Sequence, residues 1–460
     1  MIMAHKEQKL LFESGKNCNI IEVFSPKASE TFELLDSYSE AEKSKIHPLE
    51  KACDVIEGSD LIVDCIFGTG YDPSRGSPKD EFLFICRAVK DKKEKVPETF
   101  IISADIPSGI SADNGETAID NNGERVCIKA DAVCTFMHSK PGLEVTPGIL
   151  FAGEVFTEVI EELIEAEKVC KYERFVTDES IFSSLPERRT DSNKGTYGQL
   201  LCLCGSPDMP GAAMLSVSAA LRMGTGLVRV CGLKETLNIL KCRISEPVFT
   251  TLPEENGGYA DNSFEVLKND LGKITAVLCG CGIGRDDSAL SLFKKICKNT
   301  SCTLVIDADM INILSKDPEL LKEFGSRCII TPHPGEAARL LNTDIVSINE
   351  RRIHFARALS EKYGCVTLLK GYRTVISSPN GTIYVNPNGN NGMSKGGSGD
   401  VLAGIIAALA AQGVSPYDSA VLGAYIHGKA GDIAKDKYGE RSMLPSDMVS
   451  MLSEVLKEYH

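Results

Sequence analysis

Short runs of β-branched and apolar residues alternate with helical stretches along almost the whole chain. Each run ends in a glycine-rich or polar turn, which is typical of a parallel sheet covered by helices on both faces. The pattern therefore predicts an α/β protein. The predicted strands are residues 19–24, 61–64, 100–104, 132–136, 200–204, 227–230, 276–278, 304–306, 329–331, 366–369, 374–376 and 383–385. The last two flank the segment SSPNGT, which predicts a hairpin turn.

The charged stretch 161–194 separates two sets of predicted strands and contains a single candidate helix. We expect the domain boundary near residue 170, with a first domain over residues 1–170 and a second over residues 175–460. A chain of 460 residues is long enough for two or three domains, each with a core of its own.

Charge, hydropathy and cysteine usage exclude several classes of protein. The net charge of −14 argues against a nucleic-acid coat or an anionic membrane surface as partner. The longest apolar stretch, 401–411, is shorter than the roughly 18 residues that a bilayer span needs, so we predict a buried helix and no membrane segment. The 17 cysteines are irregularly spaced and the N-terminal residues form no apolar leader. We therefore expect a reducing, cytoplasmic setting.

The sharpest local feature is the segment GGSGD, which runs directly into the apolar stretch at Val401. Glycines let the backbone turn its N–H groups toward one point, and a helix N-terminus adds free donors. Gly396, Gly397, Ser398 and Gly399 are therefore predicted to form an anion hole for a phosphate. Asp400 is suited to accept a proton from a hydroxyl that attacks phosphorus. The alternative is that Asp400 only caps the helix and that the glycines only form a tight turn.

Three other strand-end loops carry residues that suit a ligand site. CGCGIG (279–284) allows close backbone approach, TPHPGE (331–336) fixes His333 between two prolines, and LKGYRT (369–374) places Lys370 at a strand end. Because the carboxyl ends of parallel strands meet at one edge, we expect these loops to surround one ligand. Asp307 and Asp309 end another strand, but helix capping explains them as readily.

Six segments together resemble a known family. They are KGTYGQLLCLCGSPDMPGAAMLSVSAALRMGTGLVRV (194–230), CGCGIG, IDADMINIL (306–314), TPHPGEAARLL (331–341), LKGYRT and NGNNGMSKGGSGDVLAG (388–404). In this order they are similar to the nucleotide-dependent NAD(P)H-hydrate dehydratases of the ribokinase-like superfamily. The resemblance covers residues from about 175 to 460. It implies a ribokinase-like domain with a mainly parallel sheet and helices on both faces.

The resemblance implies repair of hydrated NADH or NADPH. The S-epimer would be dehydrated with ADP or ATP, and with Mg²⁺, to give NAD(P)H; ADP would yield AMP and phosphate. Asp400 is the implied catalytic base, and the implied hydrate contacts are Ala212, Gly282, His333 and Asp400. The implied nucleotide contacts are Lys370, Gly371, Tyr372, Arg373, Thr374 and Gly399. Glu336 is a candidate to reach Mg²⁺ through water.

The first domain carries motifs of the same kind. VDCIFGTG (63–70), ADIPSG (104–109) and a segment ending in HSKPG (138–142) resemble the NAD(P)H-hydrate epimerase domain that is commonly fused ahead of the dehydratase, although ordinary α/β loops are the alternative. The resemblance implies an incomplete Rossmann-like three-layer α/β domain with a potassium ion. Asp64 and Ser108 are the implied potassium ligands. The implied hydrate contacts are Gly68, Thr69, Gly70, Tyr71, Asp72, Pro73, Ser74 and Asp105.

The first domain also departs from the epimerase pattern. That family opens with a helical segment, a strand and a Gly-Asn-Asn-Gly-Gly-Asp loop, and nothing before Leu61 matches this loop. The sequence begins with a predicted helix, residues 5–15, that would normally follow the loop. We therefore expect epimerase activity to be absent or severely impaired. We also expect a less stable first domain, because a sheet that lacks its first strand has an unpaired edge.

Two other functions are compatible with the motifs. A small-molecule kinase of the ribokinase-like superfamily would stop at the phosphate ester, and a nucleotide-binding module would bind without catalysis. For the dehydratase we expect small-molecule substrates, no nucleic-acid or membrane partner, and association into a homo-oligomer.

Overall fold

The structure, a computed structural model, describes residues 18–24, 39–167, 174–175 and 179–459. Its contacts divide the chain into two units, residues 1–171 and 172–460. Each unit is built around its own mainly parallel sheet, which confirms the α/β class. The predicted helix at residues 5–15 lies outside the described residues.

Four parallel strands form the main sheet of the first unit. They are β3 (Leu61–Asp64), β4 (Phe100–Ala104), β5 (Ala132–Phe136) and β6 (Glu154–Glu158), in the order β3-β4-β5-β6. A separate parallel pair joins β1 (Ile20–Glu22) and β2 (Ile46–Pro48). The sequence pattern predicts β3, β4 and β5 but not β6, because the sequence EVFTE contains no apolar run.

Six helices are described in the first unit, and several of them contribute apolar side chains to its core. They are α1 (Glu40–Lys43), α2 (Ala52–Glu57), α3 (Asp80–Lys95), α4 (Pro141–Glu144), α5 (Ile149–Ala152) and α6 (Ile164–Glu167). In α3, Phe82, Ile85 and Val89 recur at helical spacing and pack into one core with the strand residues Ile101 and Val133.

The second unit has a larger sheet. Its strands are β7 (Arg174–Phe175), β8 (Gln199–Leu203), β9 (Leu227–Gly232), β10 (Val248–Thr251), β13 (Ala276–Cys279), β14 (Thr303–Ile306), β15 (Cys328–Ile330), β16 (Val366–Leu369), β17 (Val375–Ser377) and β18 (Ile383–Val385). Their order is β10-β9-β8-β13-β14-β15-β16-β17-β18-β7. A short antiparallel pair, β11 (Glu254–Glu255) and β12 (Gly258–Tyr259), stands apart from this sheet. Strands β17 and β18 pair antiparallel, which confirms the predicted hairpin.

The helices of the second unit lie between and beyond these strands. They are α7 (Pro210–Arg222), α8 (Lys234–Lys241), α9 (Ser263–Leu267), α10 (Asp287–Lys298), α11 (Ala308–Leu314), α12 (Leu320–Phe324), α13 (Pro334–Leu341), α14 (Ile345–Glu350), α15 (Arg352–Tyr363), α16 (Ser398–Ala411), α17 (Pro416–Tyr438) and α18 (Pro445–Lys457). None of the described helices combines the length and the apolar character needed to cross a membrane.

Helix α16 lies in the core of the second unit. Its residues from Val401 to Ala411 are all buried, as the apolar sequence predicts. It packs so closely on α7 that a Cβ atom at Gly404 would lie 2.1 Å from the carbonyl oxygen of Ser216. A glycine at position 404 therefore permits the approach of the two helices. This packing fixes the first turn of α16, where the GGSGD segment lies.

The carboxyl ends of four strands lie side by side in the second sheet. Cys279 at the end of β13 pairs with Ile306 of β14, which in turn pairs with Ile330 of β15. Ile330 then pairs with Thr367 of β16. Because all three pairings are parallel, the loops that follow these strands share one edge of the sheet.

Candidate active site

A cavity of about 580 Å³ opens in the second unit. It is lined by His333, by the segment 370–374 and by the segment 396–400, which the sequence places in three separate loops. Parts of its wall come from residues to which the motifs assign no contact, among them Asp307, Asn388, Lys395 and His427. The cavity therefore brings most of the candidate residues of the second unit into one site.

Lys370 and Asp307 form an ion pair in this cavity, in which Asp307 is buried and Lys370 is partly exposed. The Nζ atom of Lys370 lies 2.6 Å from Oδ1 of Asp307, and the hydroxyl of Thr331 donates to the same oxygen at 2.7 Å. Asp307 makes no side-chain hydrogen bond to the start of α11, so the capping explanation is wrong for this residue. Burial alone would lower the pKa of Lys370, but the negative charges of Asp307 and Glu336 outweigh burial and raise it. The lysine therefore stays charged at neutral pH.

Asp400 lies in the first turn of α16. Burial, and secondly the negative charge of Asp307, raise the pKa of the Asp400 carboxyl to about 6. The group is thus ionised at neutral pH but more basic than an exposed aspartate, which suits a general base. The N-cap of the helix is Gly397, and no side chain caps it. Helix capping therefore does not account for Asp400.

The turn before Asp400 presents free backbone amides. Within the described part of the chain, the amides of Gly396, Gly397, Gly399 and Asp400 donate no hydrogen bond. The amide of Ser398 differs from the other three predicted anion-hole residues, because it already donates to the carbonyl of Lys395 at 3.2 Å. Gly397 has a φ of 102°, which favours glycine. Free amides at a helix N-terminus form a site for an anionic group.

The ammonium group of Lys370 completes this positive site. A Cβ atom at Gly399 would lie 3.3 Å from Nζ of Lys370, so the lysine lies directly beside the glycine turn. The end of β16, just before Lys370, is fixed by Arg352, which is buried and donates to the carbonyl of Leu369 at 3.0 Å. Tyr372 is 54% exposed and lines the cavity, where its ring offers an aromatic surface.

His333 and Glu336 are joined at the start of α13. The amide of His333 donates to Oε2 of Glu336 at 2.8 Å, and the amide of Gly335 donates to Nδ1 of His333 at 3.0 Å. These bonds fix the His333 ring, while half of its side chain stays exposed. Burial raises the pKa of Glu336 to about 7. The pair can therefore contact a ligand without reorganising.

Ala212 and Gly282 lie beside each other but are not among the residues that line the cavity. A Cβ atom at Gly282 would lie 2.8 Å from the Cβ atom of Ala212. The preceding residue, Cys281, has its Sγ within 4.8 Å of carboxylate oxygens of Asp307 and Asp400. A hydrogen bond with a second cysteine and burial hold the pKa of the Cys281 thiol well above its usual range. Cys281 is therefore a neutral neighbour of the site and not a nucleophile.

In the first unit, Asp64 and Ser108 are hydrogen-bonded to each other. The hydroxyl and amide of Ser108 donate to the carboxylate at 2.6 and 2.8 Å, and Ser103 and Ile66 donate two further bonds. Four donors occupy the acceptor positions of this carboxylate. Asp64 would have to release one of them before it could bind potassium, and potassium binding here stays a prediction.

The other candidate residues of the first unit lie in two loops. In the loop 68–74, Asp72 accepts a hydrogen bond from the hydroxyl of Ser74 at 2.6 Å, and Tyr71 stacks on Phe67 with 4.6 Å between ring centroids. Asp105 follows β4 with a φ of 69° and pairs with Lys140 at 2.5 Å. Hydrate contacts in these loops stay predictions.

Sequence reasoning does not identify one wall of the cavity. Most residues of the segment 386–395, and His427 of α17, line it, yet asparagine and glycine are common in any loop and His427 lies within a helix. Burial lowers the pKa of His427 to about 4, so its ring is neutral. The sequence could have indicated a role for Asp307 in the site, because this residue directly follows β14 at the same sheet edge.

Replacing Asp307 by asparagine is expected to move the pH dependence of the site. Asp307 raises the pKa of Asp400, and it also pairs with Lys370, whose positive charge lowers that pKa. Asp307→Asn removes the negative charge that raises the pKa of Asp400. It also leaves the charge of Lys370 unpaired, so that the lysine lowers this pKa more strongly. Both changes lower the pKa of Asp400 below about 6. Activity that requires ionised Asp400 should therefore persist to lower pH than in the wild type.

The measurement is the acidic limb of the pH profile of kcat/KM for the Asp307→Asn and wild-type proteins. Asp309→Asn is the matched control, because Asp309 also raises the pKa of Asp400 but contributes less than Asp307. A limb that stays in place or moves to higher pH in Asp307→Asn would contradict the assignment of Asp400.

Both units match described families. The family described as NAD(P)H-hydrate dehydratase matches residues 200–454. The family described as YjeF-related protein N-terminus matches residues 11–142.

Curated proteins are similar over most of the chain. The bifunctional NAD(P)H-hydrate repair enzyme Nnr of Moorella thermoacetica is 36% identical over 414 residues, which cover 89% of this chain and 75% of that protein. The protein of the same name from Escherichia coli is 34% identical and covers 87% and 72%. The ADP-dependent (S)-NAD(P)H-hydrate dehydratase of Neisseria meningitidis is 39% identical over 55% of this chain and 82% of its own length.

Solved structures resemble the larger part of the chain. The ADP/ATP-dependent NAD(P)H-hydrate dehydratase from Bacillus subtilis, co-crystallised with ATP and Mg²⁺, is 26% identical with a TM-score of 0.51, and covers 62% of this chain and 98% of that one. A ribokinase-like superfamily protein from Enterococcus faecalis is 26% identical with a TM-score of 0.55, and covers 63% and 98%.

Proposed function

The chain belongs to the family of bifunctional NAD(P)H-hydrate repair enzymes, and we propose that the cavity of its second unit is where ADP or ATP drives the dehydration of hydrated NADH or NADPH. The observation that carries the proposal is the position of Asp400 among free backbone amides and beside the ammonium group of Lys370.

The chemistry explains why a base and an anion site belong together. Hydroxide is a poor leaving group, so the hydroxyl of the hydrate is first phosphorylated and then leaves as phosphate. Asp400 accepts the hydroxyl proton as the oxygen bonds to the terminal phosphorus and the bond to the nucleotide breaks. With ADP, the ester and AMP form; loss of phosphate and of the proton on the adjacent carbon then gives NAD(P)H.

The backbone and Lys370 stabilise the charge that moves in this step. The free amides of Gly396, Gly397 and Gly399 lie where they can donate to the oxygens of the transferred phosphoryl group. Lys370, next to Gly399, neutralises the nucleotide phosphates. Because these donors are fixed before the ligand binds, they need little reorganisation during the reaction.

The two ligands are assigned to different sides of Asp400. We place the hydrate against Ala212, Gly282 and His333, and the nucleotide against the segment 370–374 and Gly399. The closeness of Ala212 to Gly282 supports the hydrate side, because both residues are small enough for a ligand to approach the backbone there. The exposed ring of Tyr372 supports the nucleotide side, because it can stack on a planar group.

The site suits Mg²⁺ that arrives with the nucleotide. Mg²⁺ prefers oxygen ligands and usually binds one or two carboxylates together with substrate phosphates and water. The carboxylates of Asp307 and Glu336 line the cavity and supply such oxygens, whereas the neutral thiol of Cys281 does not suit this ion. Bound there, Mg²⁺ would neutralise charge on the phosphates.

In the first unit we propose hydrate binding in the loop 68–74 and at Asp105. The ion pair of Asp105 with Lys140, and its contact with Thr135, support this proposal because they concentrate polar groups at the end of β4.

A heavy-isotope experiment tests the proposed reaction. The S-epimer of the hydrate, labelled with heavy oxygen in its hydroxyl group, is incubated with the protein and either ADP or ATP. We expect NAD(P)H to form together with inorganic phosphate that carries the label, in equal amounts. A labelled phosphate ester that accumulates without NAD(P)H would instead identify a small-molecule kinase, and the absence of any product would identify a binding module.

A further inference from the structure

The glycine turn of the site is preceded by a segment that is anchored at two points, and we propose that Lys395 and Asp432 are positioning residues that fix the free amides and Asp400 through this segment. We call residues 388–395 the strap. The inference rests on the proposed function and deepens it, because it assigns a role to two side chains that need not touch either substrate.

Lys395 is the last residue before the glycines, and it lines the cavity. A lysine beside a phosphate site would ordinarily be assigned to the phosphate. Here its ammonium group donates to the backbone carbonyls of Arg441 at 2.7 Å and Met443 at 2.5 Å. Two of its three N–H donors are thus used to join the strap to the connection between α17 and α18.

Asp432 anchors the other end of the strap to α17. Its carboxylate accepts from the amide of Gly389 at 3.1 Å and from the side-chain amide of Asn390 at 2.9 Å. The side-chain oxygen of Asn390 then accepts from the amide of Gly392 at 3.0 Å. The Asp432 carboxylate therefore fixes Gly389 directly and Gly392 through the Asn390 side chain.

Close packing shows that the strap fits one position. A Cβ atom at Gly428 would lie 2.7 Å from the Cβ of Asn388, and one at Gly431 would lie 2.4 Å from the sulphur of Met393. On the strap itself, a Cβ atom at Gly392 would lie 2.4 Å from the sulphur of Met443. These contacts leave little room for the strap to move as a body.

The glycines make this anchoring necessary. A glycine backbone has access to many conformations, so the direction of the amides in 396–399 is not set by the glycines themselves. Helix α16 fixes the turn on one side, and Lys395 fixes it on the other. Because a displacement of about 1 Å at a reacting group can lower a rate about 100-fold, loss of an anchor should affect the chemical step.

The test is a set of variants measured with the hydrate of NADH and with ADP and ATP separately. We expect Lys395→Gln to lower kcat by about 10- to 100-fold with either nucleotide, and to change the Kd of each nucleotide by less than about threefold. Lys395→Arg, which can still donate to two carbonyls, should recover most of kcat. Asp432→Asn should show the same pattern as Lys395→Gln, since it weakens the other anchor. The matched controls are Lys457→Gln and Asp436→Asn, which replace exposed side chains on α18 and α17.

Each contrary result overturns the proposal. If Lys395 instead bound a nucleotide phosphate, Lys395→Gln would weaken the Kd of the nucleotide and leave kcat unchanged. The effect would be larger for ATP than for ADP, because ATP carries more charge. Unchanged kcat and Kd would exclude any role.

Hydrogen exchange separates this test from the test of the function itself. We expect faster amide exchange over residues 396–400 in Lys395→Gln and Asp432→Asn than in the wild type, with unchanged exchange in the first unit. Hydrogen exchange can be measured in a variant that has lost activity. It can also be measured if the wild type does not dehydrate the hydrate, a result that would overturn the proposed function but not the strap proposal. Unchanged exchange in both variants would refute the strap proposal.

Discussion

Asp400→Asn is expected to lower kcat for dehydration by about 10²- to 10⁴-fold, the range that a general base usually contributes. Asparagine has nearly the same size as aspartate but cannot accept the hydroxyl proton. The amides of Gly396, Gly397 and Gly399 do not depend on this side chain, so the Kd of ADP should change only a few-fold. The result would assign the proton transfer to one carboxyl group.

Stability serves as the internal check on this variant. The fold favours the neutral form of Asp400, since burial raises its pKa to about 6. Above that pH the buried carboxylate is ionised, which destabilises the folded state. As the pH falls through about 6 the carboxylate is protonated and this stability is regained. Asp400→Asn should accordingly have a Tm at neutral pH no lower than that of the wild type. Full activity in this variant, or activity lost only through unfolding, would contradict the assignment.

Lys370→Met is expected to lower both activity and stability. It removes the charge beside Gly399 and leaves Asp307 buried without its partner, and breaking a buried ion pair from one side typically costs about 3–5 kcal/mol. We also expect kcat/KM to fall by at least about 100-fold, since a preorganised positive group next to the phosphoryl site is lost. Urea unfolding and steady-state kinetics measure the two effects.

The double variant Lys370→Met with Asp307→Asn separates the two effects. The asparagine removes the unpaired buried charge, so most of the stability should return while activity stays low. If the double variant were as unstable as Lys370→Met alone, the loss would come from packing of the lysine side chain and not from the ion pair.

Much of the architecture follows from local sequence. Strands β3, β4, β5, β16 and β18 begin and end where the apolar runs do, because buried parallel strands require continuous apolar residues. Strands with polar faces, such as β6, contain no continuous apolar run, so the pattern does not predict them. The sequence also predicts the turn SSPNGT and the buried helix α16, since each depends on residues close together in the chain.

The sequence predicts only part of the candidate site. The glycine turn, Lys370, His333 and Asp400 stand in recognisable motifs, and the structure places them around one cavity. The strap lies within one of the six matching segments, but that segment does not indicate what Lys395 contacts, and Asp432 and His427 lie outside all six. Their relevance depends on contacts between residues about 40 or more positions apart, which neither periodicity nor spacing encodes.

The sequence by itself determined the α/β class, the positions of most main strands along the chain and the types of group expected at the sheet edge, because local backbone preferences and apolar runs fix these. Only the tertiary structure decided which groups are electrostatically coupled. It paired Lys370 with Asp307, used the Ser398 amide internally and directed Lys395 to backbone carbonyls. The physical reason is that burial, charge and hydrogen bonding act over a few ångströms in space, whatever the distance along the chain.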